Sequence, residues 1–197
     1  MGISMKKILL LAVILAAAVC IGCVQKDPVP EPVEEDGGVT NNSSYDAPKV
    51  IESTFITAFQ CDFSGIPLLE EDTYLSGRNY QLEAVFRDGA VKGYYRSYDR
   101  YGERTDVKFA ASHYFLKDLQ ASVAKHDLAQ YNGMDVFVSG LPEMYGAYLR
   151  IDYASEERIY ASDNQNGFLP LAAMEELETL FRQQLPDIPA SDDVTEG

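Results

Sequence analysis

The sequence predicts an α+β fold, an antiparallel β-sheet built from hairpins with about two helices packed on one face. Three observations lead there. Between 80 and 98, Tyr80, Leu82, Ala84 and Phe86 alternate on one side of the strand, Asp88-Gly89 supplies a turn, and 91–98 runs back, which is the pattern of a hairpin. A second hairpin is expected from 148–154 and 158–162 around Ser155-Glu156-Glu157. Helical periodicity is confined to two places, after Ser112 and from 171 to 184, so the alternating β-α-β units of a parallel nucleotide-binding sheet are missing.

The remaining elements follow in chain order. Segment 50–59 is rich in β-branched and aromatic residues and reads as the first strand. Segment 66–77, with Pro67 and Glu70-Glu71-Asp72, reads as a connection. After the first hairpin, 99–102 is a turn and a third strand passes through Val107 and Phe109. Ser112 is placed to cap a helix, because Phe115, Leu116, Leu119 and Val123 recur at helical spacing behind it. Asn132-Gly133 ends that section, and 134–138 is a short strand. In the last helix Leu171, Met174, Leu177, Leu180 or Phe181, and Leu185 form one apolar stripe. Glu175, Glu176 and Glu178 are expected early in it, where the helix dipole favours acids.

The organisation expected is 1–22 as a signal peptide, 23–48 as a modified N-terminus with a disordered linker, 49–186 as a single globular domain and 187–197 as an acidic disordered tail. The linker reading rests on Pro28, Pro30, Pro32 and Pro48, six acids and a Gly37-Gly38 pair, which leave too little apolar surface to offset ordering entropy.

Lys6-Lys7, an unbroken apolar run from 8 to 21 and then Gly22-Cys23 have the layout of an export signal. Closing on a cysteine, this segment resembles the signal and lipobox of prokaryotic lipoproteins. The resemblance covers 5–23; Ile21 and Gly22 fit it, and Cys20 departs from it, standing where an aliphatic residue is usual. It implies diacylglyceryl attachment at Cys23, cleavage just before it, palmitate-type acyl chains as the membrane anchor, and a domain facing the periplasm or cell surface. Two acyl chains would hold the domain durably, at about 0.8 kcal/mol per buried methylene. The rival account is an uncleaved membrane-spanning helix over 8–24, at the lower limit of length for a bilayer. The downstream sequence, with its second hairpin, an Asp163-Asn164 turn and a closing helix, resembles exported domains that carry no assigned function.

The chain is strongly acidic, with a formal charge of −15, and loses Lys6 and Lys7 with the signal. That balance excludes nucleic acid as an expected partner, because phosphate binding needs a basic footprint. It also disfavours an anionic membrane surface, leaving lipid as the membrane contact. Beside Cys23, Cys61 is the one cysteine left after cleavage, and it is expected to be a buried thiol packing as a small apolar residue.

Candidate chemistry is sparse. His113 and His126 lack partners at metal spacing, so no metal and no cofactor is expected. Asp163-Asn164-Gln165-Asn166-Gly167 gathers oxygen donors but fails the calcium-loop pattern and reads as a polar turn. Neither a phosphate cradle nor a nucleophile elbow is present.

The most unusual composition is 78–108, which holds seven of the thirteen basic residues between 49 and 186 together with five tyrosines. Ordinary strand packing, with tyrosines inward and cations paired to Asp88, Asp99, Glu103 and Asp106, is the favoured account of it. If that face binds, Tyr94, Arg96 and Tyr98 are the residues assigned, acting on a glycan, an acidic polymer or a surface protein by stacking and forked hydrogen bonds. The expectation is therefore a non-catalytic binding or scaffolding module. Its alternatives are a carboxylate-dependent hydrolase of envelope glycans and a subunit or inhibitor of a surface complex.

Overall fold

A computed structural model describes residues 38–141 and 145–186, all within the unit that begins at Asp36. Cys23, the signal, the greater part of the linker and the tail lie outside the described residues. Among the described residues no helix is long and apolar enough to cross a membrane.

Eight strands form one sheet: β1 (Val39–Asn41), β2 (Ile56–Ser64), β3 (Asn79–Arg87), β4 (Ala90–Tyr98), β5 (Arg104–Ala111), β6 (Met134–Val138), β7 (Ala147–Tyr153) and β8 (Arg158–Asp163). Their spatial order is β1-β6-β8-β7-β2-β3-β4-β5. Every neighbouring pair is antiparallel except β6 and β8, which are parallel. Two helices, α1 (His113–Lys125) and α2 (Leu171–Arg182), pack against the sheet. The α+β class and the helix pair are as the sequence predicts.

Both expected hairpins form. Asp88 at φ 55° and Gly89 at φ 78° take the left-handed conformations that a two-residue hairpin turn requires, which is why Asp-Gly closes β3 onto β4. Glu156 at φ 69° does the corresponding work between β7 and β8.

One side of every central strand faces the helices. Phe59, Cys61 and Phe63 of β2, Tyr80, Leu82 and Ala84 of β3, Val91 and Tyr95 of β4, and Leu149 and Ile151 of β7 are buried there. They meet Phe115, Leu116, Leu119 and Val123 from α1 and Ala173, Met174, Leu177 and Phe181 from α2. Rings of Phe109, Phe115 and Phe181 cross edge to face at 5.1–5.9 Å, the geometry that aromatic quadrupoles favour. Cys61 is wholly buried, and burial pushes its thiol pKa up, so it packs as an apolar group.

The structure departs from the sequence expectation at four places. The strand expected over 50–59 is β2, which begins at Ile56 rather than at residue 50, because the alternation of Phe59, Cys61 and Phe63 fits the sheet and 50–55 does not enter it. Residues 39–48 are not free linker: β1 pairs with β6, Asn42 N–H donates to Asp135 at 2.8 Å and Ser44 N–H donates to Gly133 at 2.7 Å. Asn132 clasps this stretch, its Nδ2 donating to the Pro48 carbonyl and its Oδ1 accepting from Tyr160 N–H, each at 2.8 Å. Ser112 occupies the N-cap position of α1 without a side-chain cap bond. Finally, the acids of α2 lie past its first turn and serve neighbours rather than the dipole. Glu175 accepts from Thr73 at 2.8 Å, Glu176 contacts Lys125 and His126, and Glu178 is buried.

Candidate binding face

Strand alternation gives the sheet a second side, and no helix among the described residues covers it. On β4 the buried sequence Val91, Gly93, Tyr95, Ser97 faces the helices, while Lys92, Tyr94, Arg96 and Tyr98 project the other way. Tyr94, Arg96 and Tyr98, the residues assigned from the sequence, therefore share the open side. Tyr80 and Tyr95 do point inward, at 1% and 4% exposure, so the expectation of inward tyrosines holds for these two and fails for Tyr94, Tyr98 and the exposed Tyr101. Of Asp88, Asp99, Glu103 and Asp106, only Asp106 forms ion pairs among the described residues.

The register lines up polar residues across six strands. Ser162, Tyr148, Asp62, Gln81, Arg96 and Asp106 are successive cross-strand partners from β8 to β5. A parallel row holds Tyr160, Arg150, Gln60, Glu83, Tyr94 and Lys108. Side chains opposite one another in a sheet sit within contact distance, so each row is a chain of neighbours.

Arg96 is the hinge of the arrangement. Its Nη1 donates to Gln81 Oε1 at 3.1 Å, its Nη2 pairs with Asp106 at 3.3 Å, and its guanidinium lies 4.9 Å from the centre of the Tyr94 ring. Arg104 also pairs with Asp106 and approaches the Tyr98 ring. Two open grooves meet at Gln81 and Arg96. One, of about 930 Å³, runs over β3, β4 and β5 and includes Glu83, Arg87, Lys92, Tyr94 and Lys108. The other, of about 480 Å³, runs over β2 and β7 and includes Gln60, Asp62, Tyr148, Ser162 and Asn164.

Asp62 is a carboxyl group of this face whose proton affinity the fold alters. Burial raises its pKa to about 6, the Glu83 charge adds to the rise, and the Gln60 hydrogen bond and Arg96 oppose it. Gln60 Nε2 donates to Asp62 Oδ2 at 3.1 Å, whereas Oδ1 is shielded from solvent without a hydrogen-bond partner.

The other candidates raised by the sequence resolve into structural roles. In the 163–167 string, Asp163 Oδ1 accepts from the backbone of Gln165 at 2.8 Å and Asn166 at 2.9 Å, which is an Asx-type turn. Asn164 exchanges two bonds with the backbone of Val138, extending the β6–β8 pairing by a side chain. His126 Nε2 lies 2.9 Å from Glu176 and ties the end of α1 to α2. His113 stacks on Tyr114 at 4.1 Å. Among the described residues no cluster of metal-ligating side chains forms.

Asp62, Gln81, Tyr148 and Ser162 do not stand out in the sequence. Their signal is the polar half of each alternating strand, but which strands adjoin is a non-local fact. Comparison with protein-family models, with curated proteins and with solved structures returns no match to this chain.

Proposed function

We propose that the chain is a lipid-anchored, extracytoplasmic, non-catalytic binding module whose ligand surface is the helix-free face of the sheet, centred on Tyr94, Arg96 and Tyr98. Asp62, Gln81 and Tyr148 extend that surface across the sheet. One observation carries the reading. Asp62 Oδ1, Asn79 Oδ1, Tyr94 Oη and Arg96 Nε are all shielded from solvent without a hydrogen-bond partner, and all four belong to the open side of adjacent strands β2, β3 and β4. Native proteins pair such atoms almost without exception, with protein or with ordered water, and four of the nine found among the described residues gather on this face, which supports a polar contact there. The rows of amide, carboxyl, guanidinium and phenol groups suit a hydroxyl-rich or protein ligand. The anchor at Cys23 supplies the location, and durable attachment suits a module that holds a ligand at the envelope.

The test is a photo-crosslinking amino acid placed at Tyr98 in the full chain in its native membrane, with Tyr114 on α1 as the control position. A discrete adduct from position 98 and none from 114 is the expected result. Adducts from 114 alone would reject the face.

Carboxylate hydrolysis of an envelope glycan has one observation in its favour. Asp62 pairs across with Gln81, two residues from Glu83, so the two acids are diagonal neighbours, with Cα atoms about 7–8 Å apart. Two carboxyl groups set apart on one face, with room for a water between them, are the arrangement that inverting glycosidases use. Release of reducing ends from isolated envelopes, lost in Asp62→Asn, would favour hydrolysis; its absence leaves binding as the function.

A further inference from the structure

Within the binding face just proposed, on which this step rests, the charge is distributed against the character of the whole chain. The protein carries −15. Yet the groove over β3, β4 and β5 is lined by five cations, Arg87, Lys92, Arg96, Arg104 and Lys108, against two carboxylates, Glu83 and Asp106. Arg96 and Arg104 are both engaged by Asp106. Arg87, Lys92 and Lys108 make no ion pair among the described residues.

The register places these three on a single diagonal. Arg87 lies opposite Ala90, Lys92 opposite Val85, and Lys108 opposite Tyr94. Moving from β3 to β4 to β5, the cation therefore advances by two residues at each strand, always on the open side. Diagonal neighbours of this kind are about 7–8 Å apart. The result is a line of three cations without ion pairs among the described residues, set at regular steps, with Tyr94 beside its middle and end.

We propose that this diagonal binds an extended polyanionic glycan, a chain in which carboxylated sugars recur, with Tyr94 stacking on a sugar ring between the charges. Charge complementarity supplies the polyanion. The acidic balance of the chain as a whole disfavours a nucleic acid, which needs a broad basic footprint, and leaves a glycan as the polyanion. Three cations on an otherwise acidic domain are a weak footing for an anionic bilayer, where each basic residue contributes only about 1 kcal/mol. A local patch can act in spite of the net charge because the Debye length is only about 8 Å at physiological ionic strength, comparable with one step of the diagonal.

Screening of this kind leaves a signature in the salt dependence. At about 0.01 M salt the Debye length grows to about 30 Å, and the acidic remainder of the domain then repels the ligand. High salt screens the patch itself. Affinity should pass through a maximum at intermediate ionic strength, whereas a wholly basic protein loses affinity steadily as salt is added.

The experiment titrates the full-length chain in neutral detergent micelles with fluorescent oligogalacturonate, with neutral dextran, with polyphosphate and with vesicles containing anionic phospholipid. Folding is checked by circular dichroism. Expected are binding of oligogalacturonate with a salt maximum, no binding of dextran, and a loss of about tenfold or more in the Arg87→Gln, Lys92→Gln, Lys108→Gln variant, the combined worth of three exposed ion contacts. Lys117→Gln on α1 should change nothing. Binding that favours polyphosphate or vesicles over oligogalacturonate, or that survives the triple substitution in a folded protein, overturns the proposal. If oligogalacturonate fails while position 98 still gives an adduct, the polyanion inference falls and the binding face stands. Failure of both removes both.

Discussion

The hydroxyl of Tyr95 donates to the carboxylate of Glu178 at 2.9 Å, joining the middle of β4 to α2 inside the core. Glu178 is 1% exposed and also accepts from Arg182 one turn later, which supplies the countercharge a buried carboxylate needs. This contact fixes the helix layer to the strand that carries Tyr94 and Arg96 on its other side. Burial and the Glu178 charge push the Tyr95 phenol up to about 12, so it remains a donor at any physiological pH.

Tyr95→Phe removes one of the donors to that carboxylate while keeping the ring. The expected cost is about 1.5–3 kcal/mol, the worth of a hydrogen bond to a charged group, read as a lowered urea midpoint with an unchanged slope.

Asp62 makes stability depend on pH. Its folded pKa of about 6 lies above the ordinary carboxylate range, so the folded chain holds this proton to higher pH than the unfolded chain does. The contribution is present in full at low pH and is lost as pH rises through about 6. Asp62→Asn should therefore stabilise the domain at pH 7, by up to about 2 kcal/mol. It should also flatten the part of the stability profile between about pH 4 and 6, measured by urea unfolding at a series of pH values.

Two close approaches mark where side chains are forbidden. A Cβ on Gly93 would meet the Phe109 ring at 2.1 Å, and one on Gly146 would meet the backbone oxygen of Asp163 at 1.8 Å. A ring can rotate away, whereas a paired strand cannot. Gly93→Ala should cost about 1–3 kcal/mol, and Gly146→Ala more, a ranking that thermal unfolding of the two variants checks.

Cys23→Ser should abolish lipid attachment. Mass spectrometry of the membrane-derived protein is expected to show a diacylglyceryl adduct on Cys23 in the native chain and an unmodified precursor in the variant. An unmodified native chain would favour the spanning-helix account of 8–24.

The hairpins and helices are legible in the sequence because each is local. Asp88-Gly89 can be read for its turn, and the spacing of Phe115, Leu116, Leu119 and Val123 for its buried stripe, without knowing any neighbour. β1 is illegible because three residues carry no periodicity and their place depends on β6, nearly a hundred residues on. The burial of Glu178 is likewise hidden, since its partner Tyr95 comes from another layer. For the candidate face, β4 alone offers Tyr94, Arg96 and Tyr98. The alignment of Asp62, Gln81 and Arg96 requires the strand order, in which β2 lies between β7 and β3.

The most direct measurement follows the yield of the adduct formed from a crosslinker at Tyr94, in the native membrane, when Arg96 and Tyr98 are both changed to Ala. The yield should fall to background while the urea midpoint stays close to that of the parent chain. An undiminished yield accompanied by a lowered midpoint would show that these residues hold the sheet together and that the open face is not the binding surface.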